Sequence, residues 1–279
     1  MKKIAMIPNL KKDIGLVYTK KVAEYLKGKA ELFLDRMYEN SGVPARFAGA
    51  EIYDIVDEMI VLGGDGTILQ AAAKCARKDI PILGVNLGKI GFMSEVETDH
   101  LEEALACLLS GEYKVHTRMM LKVDIIKDSR QQGTYHALND VVVSKPENSK
   151  LIYMKLYSDD EFVNSYIADG MIVATPTGST GYSLSAGGPV VDPLMKLFIA
   201  TPICPHVLSA RSAVMSADKT ITLKLDEGCE YEAVVSVDGA IQEHIKYGDE
   251  VRITQSDYVT KLIKIKDQSF YDTLIKKLS

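Results

Sequence analysis

The chain has no tryptophan, only four cysteines and five histidines, and almost no imbalance of charge. Each shortage removes a class of function. Cys75, Cys107, Cys204 and Cys229 lie far apart with no C-x-x-C pair. His100, His116, His136, His206 and His244 show no H-x-x-x-H spacing, so a zinc site is not expected. Cys75 and Cys107 sit among alanines and leucines at helical spacing, the setting of small buried thiols. Lys plus Arg number 33 against 38 Asp plus Glu, a net charge of −5, and no basic block stands out. A nucleic-acid surface therefore has no electrostatic support. No apolar run reaches the roughly 18 residues that a membrane span needs. The Met1-Lys2-Lys3 start runs straight into a strand pattern, so no signal peptide is read and a cytoplasmic location is expected.

What is present is a globular composition. The 279 residues, 47% hydrophobic and 25% charged, suffice for two domains with separate cores. The stretch Val61-Leu62-Gly63-Gly64-Asp65-Gly66-Thr67-Ile68-Leu69 joins an apolar run to a helical one through a turn of small residues. Residues 59–62 are all apolar, as in a strand buried on both faces of a parallel sheet. Ile68, Leu69, Ala72, Ala73 and Ala76 recur at helical spacing. Glycines at 63, 64 and 66 can take positive φ and keep Cβ atoms away from a ligand, so backbone N–H groups can turn toward a phosphate. A phosphate would repel Asp65 unless a metal ion or an acidic proton lies between them. The carboxylate is thus a candidate to orient or deprotonate a hydroxyl nucleophile or to hold Mg²⁺, the alternative being an N-cap of the helix.

In order, 4–7, 31–34, 52–56 leading into 59–62, and 81–85 read as strands, with helices over 15–26, after Gly66, and over 99–110 up to Gly111. Alternating strands and helices imply a parallel sheet, with ligands at the carboxyl ends of its strands. Gly63 to Gly66 and Asn86-Leu87-Gly88 both fall there. Leu87-Gly88-Lys89-Ile90-Gly91-Phe92 fails as a nucleoside-triphosphatase phosphate loop, being one residue short after Gly84 and carrying Ile90 where a hydroxyl is needed. A dinucleotide fingerprint fails because Leu69 occupies the third glycine position.

From about Arg118 the period becomes alternating, with further strands expected at 135–143, 151–157, 161–166, 171–174, 219–225, 231–237 and 251–254. The fold expectation is an N-terminal α/β domain with a mostly parallel sheet (1–117), a C-terminal mainly-β, sandwich-like domain (118–255), and a tail at about 256–279 returning to the first domain. Phe270, Leu274, Ile275 and Leu278 give that tail its helical spacing.

The β half carries its own constellation. Residues 169–189 take an apolar strand into a run of glycines and hydroxyls, among them Thr177, Thr180, Gly181, Tyr182 and Ser185. Their N–H and O–H groups suit phosphate or ribose oxygens, and Tyr182 offers a flat face to a base. Asn139-Asp140 precedes Val141-Val142-Val143; the amide can both donate and accept, and the carboxylate can accept from a ribose diol.

These stretches, with 86–92 between them and 201–206 beyond, resemble the NAD kinase family in the family's own order, from about Met59 to Asp238-Gly239. The Gly63 to Thr67 pentapeptide is similar to those of phosphofructokinases and of the diacylglycerol and sphingosine kinases; the run at 169–189 singles out the NAD kinase branch. The resemblance implies phosphoryl transfer from ATP, or polyphosphate in some members, with a divalent ion such as Mg²⁺, to the 2′-hydroxyl of the adenosine ribose of NAD, yielding NADP. It implies Asp65 as general base, with Gly66 beside it contacting the dinucleotide. It assigns dinucleotide binding to Asn139, Asp140, Lys150, Asp169, Thr177, Thr180, Gly181, Tyr182 and Ser185. It also implies homodimers or homotetramers whose pockets draw on a neighbouring subunit. Gln70, Ile167 and Ala240 stand where many members carry Arg, His or Gln, which leaves fewer side chains to grip the ligand. The departures at Gln70 and Ile167 favour a non-catalytic NAD(P)-binding regulator as one alternative. The other is a lipid kinase, disfavoured by the lack of a basic amphipathic helix.

Overall fold

A computed structural model describes the chain apart from residues 89–90, 148, 208–209, 228, 230–231, 266–268 and 279, and apart from the side chain of Leu278. Lys89 and Ile90 of the 87–92 motif, and Tyr231 at the head of an expected strand, thus lie outside the described residues. The chain divides into two compact units, Met1–Thr117 with Tyr258–Ser279, and Arg118–Asp257.

The first unit is built from β1 (Lys3–Pro8), α1 (Val17–Leu26), β2 (Glu31–Asp35), β3 (Arg46–Ala48), α2 (Ile52–Ile55), β4 (Glu58–Gly63), α3 (Asp65–Arg77), β5 (Ile82–Asn86), β6 (Val96–Glu97) and α4 (Leu101–Ser110). The strands lie in the order β5-β4-β1-β2-β3, every contact parallel, with β6 joined to β5. Parallel strands need crossover helices, and those helices cover both faces. Met59, Ile60, Val61 and Leu62 are accordingly all fully buried. Ile60 and Leu62 share a cluster with Val22 and Leu26 of α1 and Leu105 and Leu108 of α4. On α3, Ile68 packs over Gly84 of β5, where an added Cβ would come within 2.6 Å of the Ile68 Cδ1. Each fully buried Leu or Ile contributes about 1.5–3 kcal/mol.

Local chemistry sets the ends of these elements. Gly111 stops α4 with φ 81° and sends its N–H to the Cys107 carbonyl at 2.9 Å, a conformation that glycine adopts without strain. The run 52–56, expected to be extended, instead makes a helical turn at Ile52–Ile55, because the N–H groups of Ile52 and Asp54 are taken by the nearby carbonyls of Gly49 and Glu51.

The second unit contains β7 (Lys114–Lys127) from Arg118 onward, β8 (Arg130–Ala137), β9 (Asp140–Ser144), β10 (Ile152–Ser158), β11 (Glu161–Ala168), β12 (Gly170–Ala174), α5 (Tyr182–Ser185), β13 (Leu197–Ile203), β14 (Ala213–Ser216), β15 (Ile221–Leu225), β16 (Ala233–Val237), β17 (Ala240–Ile245) and the first part of β18 (Glu250–Lys264). It is an antiparallel β-sandwich. One sheet runs β14-β13-β12-β9-β16-β17, and β11, β10, β15 and β18 pair in that order on the other side, with β7 and β8 as a hairpin. Leu121, Val123 and Ile125 alternate into the core between the sheets, where they meet Val141, Val143, Met171 and Val173. Val142, Ile172 and Ala174 point out of the opposite face, yet they are buried against Ile199, Ala186 and Val191. The segment after β12 folds over that outer face, which is why Val141, Val142 and Val143 of β9 and the whole of β12 are apolar.

The expected single strand 135–143 is two strands here, β8 and β9, because Leu138 and Asn139 are drawn aside at their backbone N–H groups by the Asp238 carboxylate. β3, β6, β13, β14 and β17 are additions to the strands expected from the sequence. The tail, including α6 (Phe270–Leu278), belongs to the first unit, where Leu262 pairs in parallel with Ile82.

Candidate functional site

In the first unit β4 ends at Gly63, and α3 starts at Asp65 with Gly64 as its extended N-cap (φ −159°, ψ −172°). Glycines 63, 64 and 66 are not among the positive-φ residues, so the expectation of a left-handed nest is corrected. Space is what demands Gly63. A Cβ on Gly63 would stand 2.3 Å from the Thr67 Oγ1, whereas one on Gly66 meets nothing within 4 Å. The helix start is therefore open at Gly66, ahead of the Thr67 and Ile68 N–H groups, which donate to the Gly64 carbonyl at 2.9 and 3.2 Å.

Asp65 is not the N-cap. Its carboxylate accepts the backbone N–H groups of Phe92 (2.7 Å), Met93 (3.1 Å) and Ser94 (3.3 Å), so the 91–94 loop wraps the acid. A carboxylate has about four lone-pair sites, which leaves about one for a further donor. Beside this loop lies a cavity of about 180 Å³ lined by Asn86, Gly91, Phe92, Ser94, Lys264 and Lys276 among others. Asn86 is 5% exposed; its amide donates to the Gly88 carbonyl at 2.7 Å, and its buried Oδ1 has no partner.

In the second unit the turn between β8 and β9 is held from two sides. Asp238 begins the Asp238-Gly239 hairpin turn, with φ 48° and 79°, the backbone that an Asp-Gly pair favours. Its carboxylate accepts N–H bonds from Leu138 (2.8 Å), Asn139 (2.8 Å) and Asp140 (3.1 Å). From the other side, the Thr175 N–H donates to the Asn139 carbonyl at 2.8 Å and the Thr175 hydroxyl to the Leu138 carbonyl at 2.6 Å. Gly178 passes so close that a Cβ there would lie 2.1 Å from the Asn139 carbonyl oxygen.

This clamp brings several of the predicted residues together. A Cβ on Gly181 would lie 3.6 Å from the Asn139 Nδ2 and 3.9 Å from the Asp140 Oδ2. The Asn139 Oδ1 and the Thr177 Oγ1 are buried with no partner, a costly state that a bound polar group relieves. Asp140 is 7% exposed, and burial, reinforced by the Asp238 carboxylate, pushes its carboxyl up to about 7. Asp238 is pushed up to about 6 by burial, against the three N–H bonds that favour its anion. Thr180 donates to the Thr177 carbonyl at 3.4 Å. Tyr182, 48% exposed, and the exposed Ser185 lie three residues apart on α5, on one side of it. Ser179 and Ser183 of the same run are structural, their hydroxyls engaged by Val191 and Thr201.

Asp169 and Lys150 are not brought to this cluster within one chain. Asp169 precedes β12 at the end opposite Ala174, where it pairs with Lys145 at 2.8 Å, while Asp140 pairs with Ala174. The strand between spans about 15 Å. Lys150 is exposed in the segment leaving the same far end of β9.

Comparison with known proteins adds identity to this geometry. Family models described as the ATP-NAD kinase N-terminal and C-terminal domains match residues 10–113 and 138–265. The NAD kinase of Caldanaerobacter subterraneus subsp. tengcongensis is 42% identical over all of this chain and 99% of its own length. That of Natranaerobius thermophilus is 38% identical over all of this chain and 98% of its own. The chain belongs to the NAD kinase family. The solved NAD kinase from Archaeoglobus fulgidus, in complex with ATP, superposes with TM-score 0.75 at 27% identity, covering 99% of this chain and 98% of that one. Yeast NADH kinase complexed with NADH shares the fold, with TM-score 0.89 at 24% identity over 100% of this chain and 87% of its own. NAD kinases are phosphotransferases, which is the enzyme class of this chain.

Sequence reasoning passed over Lys12, placed Asn86 only at the carboxyl end of a strand, and named Asp238 only where the family resemblance ends. Asp238 could be seen in sequence only as half of an Asp-Gly hairpin turn. Its grip on a turn 98 to 100 residues away had no local signal.

Proposed function

We propose that this chain transfers the terminal phosphoryl group of ATP to the 2′-hydroxyl of the adenosine ribose of NAD, giving NADP and ADP. Membership of the NAD kinase family supports the reaction. The observation that carries the acceptor is the pair of buried, unpartnered oxygens at Asn139 and Thr177 beside the Asp140 carboxyl, a set suited to the hydroxyls and amide of a dinucleotide. Tyr182 supplies a face for a base, with Thr180, Gly181 and Ser185 around it.

Asp65 takes the proton. As the P–O bond to the leaving diphosphate breaks and the bond to the ribose 2′-oxygen forms, the hydroxyl proton passes to the remaining lone-pair site of the Asp65 carboxylate, which the Phe92, Met93 and Ser94 N–H groups hold in a fixed orientation. Gly66 leaves the helix start uncovered for the phosphates. Among the described residues no three His, Cys, Asp or Glu side chains converge. Asn86, whose Oδ1 has no partner, is the residue that would accept from the water shell of a divalent ion such as Mg²⁺ carried by the donor. When bound, that ion neutralises phosphate charge. Asp169 and Lys150, a strand's length from Asn139, serve the pocket of a second copy of the chain, and the working species is a homodimer or homotetramer.

Incubation with NAD, ATP and Mg²⁺ should yield NADP. Asp65→Asn keeps one oxygen for the loop but removes the base, and should lower turnover roughly 10²- to 10⁴-fold. A folded Asp65→Asn enzyme turning over at the wild-type rate would remove Asp65 from this role.

A further inference from the structure

The first turn of α3 contains one charged side chain, the anion of Asp65. A polyphosphate brought to that helix start needs a cation from elsewhere. Lys12 supplies one: its Nζ lies 2.8 Å from where a Cβ on Gly64 would stand and 3.5 Å from where one on Gly88 would stand. Among the described residues no hydrogen bond or ion pair engages the Lys12 side chain, and the residue is exposed. Elsewhere among the described residues Lys2 faces Glu58 and Lys145 faces Asp169. Lys12 faces bare glycine backbone.

Its placement is built. Asn9 receives the Lys12 N–H at 2.9 Å and the Asp13 N–H at 2.8 Å on its carbonyl, sends its own N–H to the Leu62 carbonyl at 2.8 Å, and donates its amide to the Thr67 hydroxyl at 2.9 Å. The loop is thus fastened both to the strand before the glycine turn and to the helix after it. On the far side Asp13, 1% exposed, accepts the Tyr18 and Thr19 N–H groups and the Thr19 hydroxyl. A second observation points to a ligand at the same place. The Asn86 Oδ1, on a residue 5% exposed, has no partner and lies 4.0 Å from the same Gly64 Cβ position.

We propose that Lys12 is a donor-binding residue, its ammonium holding the phosphate chain of the nucleotide at Gly64 while Asn86 accepts from the water shell of the accompanying cation. The inference rests on the kinase reading, since it takes the α3 start as the donor site. A lysine acts here as a point charge with three donors, and charge-assisted bonds of this kind are the strong ones.

The test uses the full-length protein with Lys12→Ala, Lys12→Arg and, as a control for net charge, the neighbouring exposed Lys11→Ala. The expected result is a KM for ATP raised about 10-fold or more in Lys12→Ala, partly recovered in Lys12→Arg and unchanged in Lys11→Ala, with the KM for NAD within about 2-fold of wild type. Calorimetric titration with inorganic tripolyphosphate should show a matching loss of affinity in Lys12→Ala and a weaker salt dependence than wild type. Wild-type values for both ATP and tripolyphosphate in a folded Lys12→Ala protein, or a rise confined to the KM for NAD, would overturn the assignment. Should the wild type bind tripolyphosphate through Lys12 yet form no NADP, the anion site would stand and the acceptor reading would fall.

Discussion

Asp140→Asn separates two effects that burial has combined in one carboxyl group. Asp140 is buried beside Asp238, and burial pushes its carboxyl from the ordinary 3.8 up to about 7. The neighbouring Asp238 keeps three N–H bonds that favour its own anion, so Asp140 is the member of the pair that holds a proton more firmly. The sign follows from linkage. Above pH 3.8 the unfolded side chain is ionised, while the folded one stays protonated until about 7. Its stabilisation is therefore complete only below the unfolded value and is lost as pH rises through the folded one. Each pH unit crossed in that window costs about 1.4 kcal/mol, so raising the pH from 5 to 8 removes about 2–3 kcal/mol. An asparagine of the same shape carries no such term. Asp140→Asn should exceed the wild type by about 1.5 kcal/mol at pH 5 and by about 4 kcal/mol at pH 8, a gap that widens by about 2–3 kcal/mol between the two, while the KM for NAD rises. With no tryptophan in the chain, urea unfolding is best followed by circular dichroism. A stability difference that is the same at both pH values, or a wild type that gains on Asp140→Asn toward pH 8, would refute the burial argument.

Two further outcomes are expected. Asp238→Asn leaves one oxygen to serve three N–H groups and should cost about 2–4 kcal/mol in urea unfolding, with a raised KM for NAD, because the Asn139 turn is no longer held. Gly178→Ala places a Cβ 2.1 Å from the Asn139 carbonyl oxygen and should cost about 3 kcal/mol or more, whereas Gly66→Ala, open for 4 Å, should keep its melting temperature and lose activity; equal stability losses at the two positions would contradict the packing described.

Local pattern made much of this molecule legible. The apolar run of β4 followed by glycines and a 3.6-residue period could be little else than strand, turn and helix, and the switch to alternation near Arg118 marks where a sandwich core takes over. The residues flagged at 139–140 and 177–181 do converge, because β9 and β12 are neighbouring strands whose ends meet at Asp140 and Ala174. Less legible were strands whose sequence carries a contrary signal, such as β13, which contains Pro202.

Composition and local periodicity determined that the chain is an α/β unit and a β unit with polar, glycine-rich turns at strand ends, since those depend only on a residue and its near neighbours. Which partner each polar atom finds was decided in three dimensions. Asp65 could have capped its own helix, but a loop 27 to 29 residues on claims its carboxylate. The glycines before it could have taken left-handed backbone, but Thr67 crowding against Gly63 requires only that a Cβ be missing. Lys12 gained a role only when Asn9 fastened its loop across the glycine turn. Hydrogen bonds and close packing act over a few ångströms of space and are indifferent to separation along the chain, so only folding could choose those pairs.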